Sequence, residues 1–180
     1  MEAHELRAFL RHGGIIAYPT ESCYGLGCDP RNHAAVKKIL KLKKRPQAKG
    51  LILVAANFQQ LRPYITPLSS EQLTRALSVW PGPHTWLIPA RHSCPPWLTG
   101  KHPSVAVRIT AHPGCARLCE NASMALVSTS ANISGGKALR SARDCHKLFG
   151  NRVKVISGKV GGQRKPSTIQ DFVSGKVIRK

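Results

Sequence analysis

The sequence predicts an α/β domain with a twisted, mostly mixed open sheet flanked by helices, and three observations carry that expectation. Short β-branched segments alternate with stretches whose apolar residues recur at helical spacing, and Gly, Pro, Asn and Ser punctuate the joins. No internal repeat, linker or low-complexity block interrupts the 180 residues, so 1–180 reads as one packed unit.

The elements follow in order. Glu2 to His12 places Leu6, Phe9 and Leu10 on one helical face, and Gly13-Gly14 supplies the stop. A strand runs from Ile15 to Tyr18. Pro19 to Ser22 reads as a loop at its end, because proline lacks the ladder donor, and Gly25-Leu26-Gly27 extends that loop with tight turns. Asn32 caps a helix to about Lys41, with Val36, Ile39 and Leu40 inward. A basic connection containing Pro46 leads to a buried strand at Leu51 to Ala55. Asn57 and Ser70 are expected to cap two further helices, the second carrying Leu73, Leu77 and Trp80 to a stop at Pro81-Gly82-Pro83. Strands are expected at Thr85 to Pro89, Val105 to Ile109, Ala125 to Ser128 and Val153 to Ile156, with helices at about Pro113 to Asn121 and Ala142 to Leu148. Thr168 to Phe172 and Val177 to Arg179 read as short edge strands.

Composition narrows the chemistry. Lys and Arg number 28 against 8 Asp and Glu, a net charge of +20. Eight carboxylates are too few for a two-metal site or an acid pair that must also solubilise the surface, so no metal site is expected and anionic partners are favoured: nucleotide, tRNA or another polyphosphate. The longest apolar run, Leu51 to Ala56, is six residues, whereas a membrane span needs about 20. With acidic Glu2 and Glu5 at the start, a cytoplasmic protein without membrane contact is expected, its six cysteines reduced.

Five polar groupings could carry chemistry. Lys43-Lys44-Arg45-Pro46 with Lys49 can clamp phosphates, or be a solvated charge run. Ser128-Thr129-Ser130-Ala131-Asn132, at the end of an apolar strand and ahead of Gly135-Gly136, is a dense donor set where open α/β sheets place ligands, or a turn with capping residues. Thr20, Glu21 and Ser22 form another polar strand end. Ser104 and Arg108 share one face of a strand, so Arg108 is a site residue or an edge charge. Last come Gly161-Gly162 and Pro166-Ser167-Thr168, with Arg179 near the terminus. Together they describe a polar cavity suited to an anion.

These residues also carry a resemblance. Tyr18-Pro-Thr-Glu-Ser-Cys-Tyr-Gly-Leu-Gly27, Lys43-x-Arg45-Pro, Trp80-Pro-Gly-Pro83, Val105-Ala-Val-Arg108, Ser128-Thr-Ser-Ala-Asn132 and Pro166-Ser-Thr168 resemble, in order and over nearly the whole chain, the YrdC/TsaC family of threonylcarbamoyl-AMP synthases. The resemblance implies a single YrdC-like domain of the bacterial form. It also implies a reaction in which L-threonine, bicarbonate and ATP give threonylcarbamoyl-adenylate and pyrophosphate for tRNA modification, with partner proteins resembling TsaB, TsaD and TsaE. Carried over by motif, Thr20, Ser22, Arg108, Ser128 and Ser167 resemble threonine contacts; Arg45, Lys49, Ser104, Ser130 and Arg179 resemble ATP contacts; and Lys43, Arg45, Ser130 and Asn132 resemble the catalytic set. Ser22 stands where many relatives have a second Thr, and Val54 where longer relatives have a His.

Elementary chemistry agrees with that inventory. Attack on an α-phosphate concentrates negative charge that fixed cations and hydroxyl or amide donors can stabilise without a nucleophilic side chain. Mg²⁺ is expected to ride on the triphosphate, and the labile carbamate calls for a recessed cavity. Two rival classes remain. An RNA-binding module without turnover fits the charge, but aromatics, 6% of residues, do not interleave with the basic runs, so RNA contact through a basic surface is secondary. A zinc site from Cys23, Cys28, His112, Cys115 and Cys119 lacks paired CxxC spacing, and small buried cysteines are the simpler expectation. His84, His92 and His146 read as surface or packing residues.

Overall fold

A computed structural model describes residues 1–180. Helix α1 (Ala3–Arg11) starts at a reciprocal cap between Glu2 and Glu5 and buries Leu6 and Leu10. Strands β1 (Ile16–Pro19) and β2 (Tyr24–Gly27) pair antiparallel, so the turn is confined to residues 20–23. The tight turns expected at Gly25-Leu26-Gly27 are instead a strand. Tyr24 and Leu26 point into the main core, and Gly27 lets neighbouring groups approach: a Cβ on it would lie 2.7 Å from the Val127 carbonyl oxygen and from the Tyr18 ring.

Helix α2 (His33–Lys43) is capped by Asn32, whose Oδ1 accepts from the Ala35 N–H, and it ends at Lys44 in the left-handed conformation. It runs two residues past the expected Lys41. The basic connection then forms a 3₁₀ turn, Gln47–Lys49, before β3 (Ile52–Ala55). Asn57 caps only a 3₁₀ turn, Phe58–Gln60, because Pro63 follows too closely for an α-helix to propagate. Helix α3 (Ser70–Leu77) is capped by Ser69 rather than Ser70, since Gln72 lies three residues after Ser69 and closes the reciprocal pair.

The chain continues through β4 (His84–Pro89), the single turn α4 (Pro96–Thr99) that the periodicity did not announce, β5 (Ser104–Ile109), α5 (Pro113–Ala122) and β6 (Leu126–Ser130). It closes with α6 (Ala142–Phe149), β7 (Lys154–Val155), β8 (Thr168–Asp171) and β9 (Val177–Arg179). No helix is long and apolar enough to cross a membrane.

The nine strands form one mixed sheet ordered β7-β1-β2-β6-β3-β5-β4-β8-β9. The β1/β7, β3/β5 and β4/β8 pairs are parallel and the rest antiparallel. Only β7 and β9 are edges. β8, expected at an edge, is hydrogen-bonded to β4 and β9, and Phe172 just after it packs edge-on against Trp86 at 5.2 Å.

The pleat sorts the side chains. One face carries the main core, with Leu26, Leu53, Val107, Val127 and Trp86 among its members. The opposite face divides along the strands. At one end Ile16, Tyr18, Val54 and Leu126 are covered by α1 and α5 through Leu6, Leu10, Cys115 and Cys119. At the other end neither α1 nor α5 covers the same face, and Ile52, Ser128, Ser130, Ala106 and Ser104 line a cavity.

Candidate active site

That cavity has a volume of about 690 Å³ and gathers segments far apart in sequence. Thr20 and Ser22 reach it from the β1–β2 turn, Arg45 and Lys49 from the connection after α2, and Ser104 and Arg108 from β5. Ser128, Ser130 and Asn132 come from the end of β6, Ser167 from the start of β8, and Arg179 from β9. Lys43 does not line it. Its Nζ lies behind the β6 end, donating to the carbonyl oxygens of Ser130 and Asn132 (the latter at 3.0 Å) and to Asn132 Oδ1 at 2.6 Å.

The basic run therefore divides by depth. Lys41 and Lys44 are solvated, Lys43 is only 2% exposed, Arg45 is half-buried and Lys49 sits on the rim. Arg45 is steadied by a bond from Nη2 to the Gly50 carbonyl at 3.0 Å. The Ser130–Asn132 segment is more than a capping turn. Ser130 Oγ donates to Asn132 Oδ1 at 2.9 Å, and Asn132 Nδ2 donates to the Gly136 carbonyl, so Lys43, Ser130 and Asn132 form one closed hydrogen-bond cluster.

Arg108 is no edge charge, because β5 lies between β3 and β4 inside the sheet. Its partner is Glu21, 3.4 Å from Arg108 Nη2, with both side chains more than 90% buried. Glu21 Oε1 also accepts from the Thr110 hydroxyl at 2.7 Å and the Ala111 N–H at 3.1 Å. Burial alone would raise the Glu21 carboxyl, but the Arg108 charge and these donors together hold it below the usual value. Arg179 is pinned by two bonds to the Ser167 carbonyl, at 2.7 and 3.1 Å, while Ser167 Oγ meets Thr85 Oγ1 at 2.9 Å.

The lining is electropositive. Arg45, Lys49, Arg108, Arg140, Arg164 and Arg179 all contribute, and no Asp or Glu does. Burial lowers the Arg45 and Arg179 guanidinium pKa values, and for Arg179 the neighbouring charges of Arg108 and Arg45 lower it further. Lys43 is pushed down to about 8, first by burial and then by the charge of Arg45. An anion entering the cavity relieves this mutual repulsion.

Several contributors to the site carry no local signal in the sequence. Glu21 reads only as part of a polar strand end, and its pairing with Arg108 spans 87 positions. Arg140 reaches the Ser22 carbonyl, and Arg164 also lines the cavity, yet neither sits in a recognisable spacing. The zinc candidates are dispersed. Cys28 lies in the main core, Cys115 and Cys119 lie under α1, and His112 Nδ1 caps α5. No three His, Cys, Asp or Glu side chains gather as a metal site. His84 packs against Trp86 with its ring tilted by 54°, while His92 and His146 are exposed. Val54 is fully buried between the sheet and α1 and α5, away from the cavity.

Fixed cations and hydroxyls on one open face of an α/β sheet, without an Asp or Glu in the lining, make a cavity suited to an anionic ligand held by charge and positioning. The chain belongs to the Sua5/YciO/YrdC family, whose model, described as Telomere recombination, matches residues 8–180. It is 58% identical over 179 residues to a threonylcarbamoyl-AMP synthase of Methylobacillus flagellatus, covering 99% of each chain. It is 51% identical to the protein of the same name from Thiobacillus denitrificans, covering 97% of this chain and 93% of that one. Among solved structures, P. abyssi Sua5 complexed with L-threonine superposes with a TM-score of 0.85 at 34% identity over 95% of this chain. The chain spans 52% of that longer protein.

Proposed function

We infer that this chain is a threonylcarbamoyl-AMP synthase, which joins L-threonine, bicarbonate and ATP into threonylcarbamoyl-adenylate and pyrophosphate for threonylcarbamoyladenosine formation in tRNA. The observation that carries this reading is the convergence of Arg45, Lys49 and Arg179 with Arg108, Thr20 and Ser128 in one recessed cavity. The names of the curated relatives and of the threonine complex support it.

In this reading the threonine amine adds to the carbon of CO₂ from bicarbonate and loses a proton, giving a carbamate. A carbamate oxygen then attacks the α-phosphorus, and the bond to the pyrophosphate oxygen breaks. Arg45, Lys49 and Arg179 face the growing charge on the phosphates, with Ser104 beside them, and need no reorganisation because backbone carbonyls already hold two of them. Arg108 faces the threonine carboxylate, with Ser22, Ser128 and Ser167 as neutral donors. Lys43 acts as a positioning residue that holds the β6 end in shape, while Ser130 and Asn132, which line the cavity, face the ATP side. With no carboxylate in the lining, the side chains offer a hard cation no ligand set, so Mg²⁺ would enter on the triphosphate's own oxygens and reduce their charge.

The adenylate is labile, so its consumers are the partner proteins resembling TsaB, TsaD and TsaE that complete transfer to tRNA in the cytoplasm. RNA contact belongs to the exposed Lys37, Lys38, Lys41 and Lys44 along α2 and is secondary to turnover. Pyrophosphate release measured with threonine, bicarbonate or ATP omitted in turn tests the reading. Release should require all three. Release that ignores threonine would overturn it, and salt-sensitive RNA binding without turnover would favour a binding module.

A further inference from the structure

Gly25 lies in the middle of β2, yet it lines the cavity rather than a helix contact. Its pleat position gives it the face shared with Thr20 and Ser128. A Cβ built on it would stand 3.4 Å from Ser128 Oγ, 3.4 Å from Thr20 Cγ2 and 3.5 Å from the Tyr18 ring. All are ordinary or slightly tight contacts, and no backbone atom is among them, so the fold itself does not require glycine here. The contrast is with Gly27, where the Val127 carbonyl forbids a side chain.

The walls around this bare Cα differ chemically. On one side is a methyl group: Thr20 Oγ1 donates to the Cys23 carbonyl at 2.8 Å, which fixes the rotamer and leaves Cγ2 turned toward Gly25. On the other side is the Ser128 hydroxyl. One apolar wall and one hydroxyl wall about a small floor complement an amino-acid side chain that carries a methyl and a hydroxyl on the same carbon.

We propose that Gly25 is a specificity-determining residue, its bare Cα the floor on which the substrate side chain rests, and that this floor admits the γ-methyl group of threonine. The proposal rests on the synthase reading above. A single methyl in a pocket discriminates by about 10- to 200-fold, which sets the scale of preference this slot can supply.

The test is the ratio of kcat/KM for threonine to that for serine, read by pyrophosphate release, in the wild type, Gly25→Ala and Thr20→Ser. Gly25→Ala raises the floor by one methyl group. It should lower the threonine-to-serine ratio at least tenfold, with serine turnover retained and the KM for ATP within about twofold of wild type. Thr20→Ser keeps the hydroxyl that bonds Cys23 but removes the methyl wall. It should also lower the ratio, through a higher KM for threonine, and it does not depend on Gly25→Ala being stable. A ratio unchanged in both variants, or threonine and serine losing activity in equal proportion, overturns the proposal while leaving the synthase reading intact. A wild type without threonine-dependent release overturns the reading instead.

Discussion

Lys43 Nζ lies 2.6 Å from Asn132 Oδ1, a contact that joins the last turn of α2 to the end of β6 across 89 positions. With the two backbone carbonyls it also contacts, this uses all three donors of the ammonium. The lysine is thus a strut beneath the strand tip.

Lys43→Met keeps most of the stem and removes the donors. Stability should fall by about 1–3 kcal/mol, since the lost bonds outweigh the relieved burial of charge, and turnover should fall at least tenfold as the tip loosens. The pKa gives a second signature. Folding lowers it from 10.5 to about 8, so between those values the unfolded chain binds more protons. Stability of the wild type relative to Lys43→Met should therefore rise with pH through that window, by at most about 1.4 kcal/mol per pH unit. Urea midpoints at pH 7, 8 and 9 check both statements.

Glu21→Gln preserves an oxygen for Thr110 and Ala111 but leaves Arg108 buried without its counter-charge. A loss of about 3 kcal/mol at pH 7 is expected from removing one partner of a buried pair. The folded pKa of Glu21 is depressed, so this advantage of the wild type is complete above the ordinary value of 4.5 and disappears as the pH falls through the folded value. Chemical denaturation at pH 7 and at progressively lower pH reads the difference. Kinetically the KM for threonine should rise more than the KM for ATP.

Arg179→Ala removes the guanidinium from a three-residue strand that pairs only with β8. The melting temperature should move by no more than a few degrees, while kcat/KM for ATP falls about ten- to a hundredfold, the scale of one charge-assisted contact. Deleting residues 177–180 should reproduce the kinetic effect. A deletion with normal ATP kinetics would remove β9 from the site.

Gly27→Ala and Gly25→Ala should separate by stability alone. The first forces a methyl to within 2.7 Å of a backbone carbonyl and should cost about 1–3 kcal/mol. The second meets only side-chain atoms at 3.4–3.5 Å and should cost less than about 1 kcal/mol. Paired thermal melts decide this.

Much of the site was legible because its groups sit at strand ends, which sequence periodicity locates well. Ser128, Ser130 and Asn132 follow an apolar run, and Ser104 and Arg108 share a face by simple alternation. The errors have equally local causes. Gly25 and Gly27 suggest turns, but Tyr24 and Leu26 alternate with them as residues of a strand do, and Gly27 serves a close approach to Tyr18 and Val127. The Asn57 helix stops after one turn because Pro63 intervenes. β8 lies inside the sheet because β9 returns along it, a pairing that segments of three and four residues do not signal.

The amino-acid order alone determined an α/β architecture, a surplus of positive charge and polar clusters at strand tips, because propensity, alternation and composition are local quantities. Only the tertiary structure decided that Lys43 turns inward as a strut while Arg45 lines the cavity, that Glu21 backs Arg108, and that α1 and α5 cover one end of a sheet face and leave the other open. Those outcomes depend on which strands become neighbours, and strand order is fixed by burial summed over the whole chain rather than by any one segment.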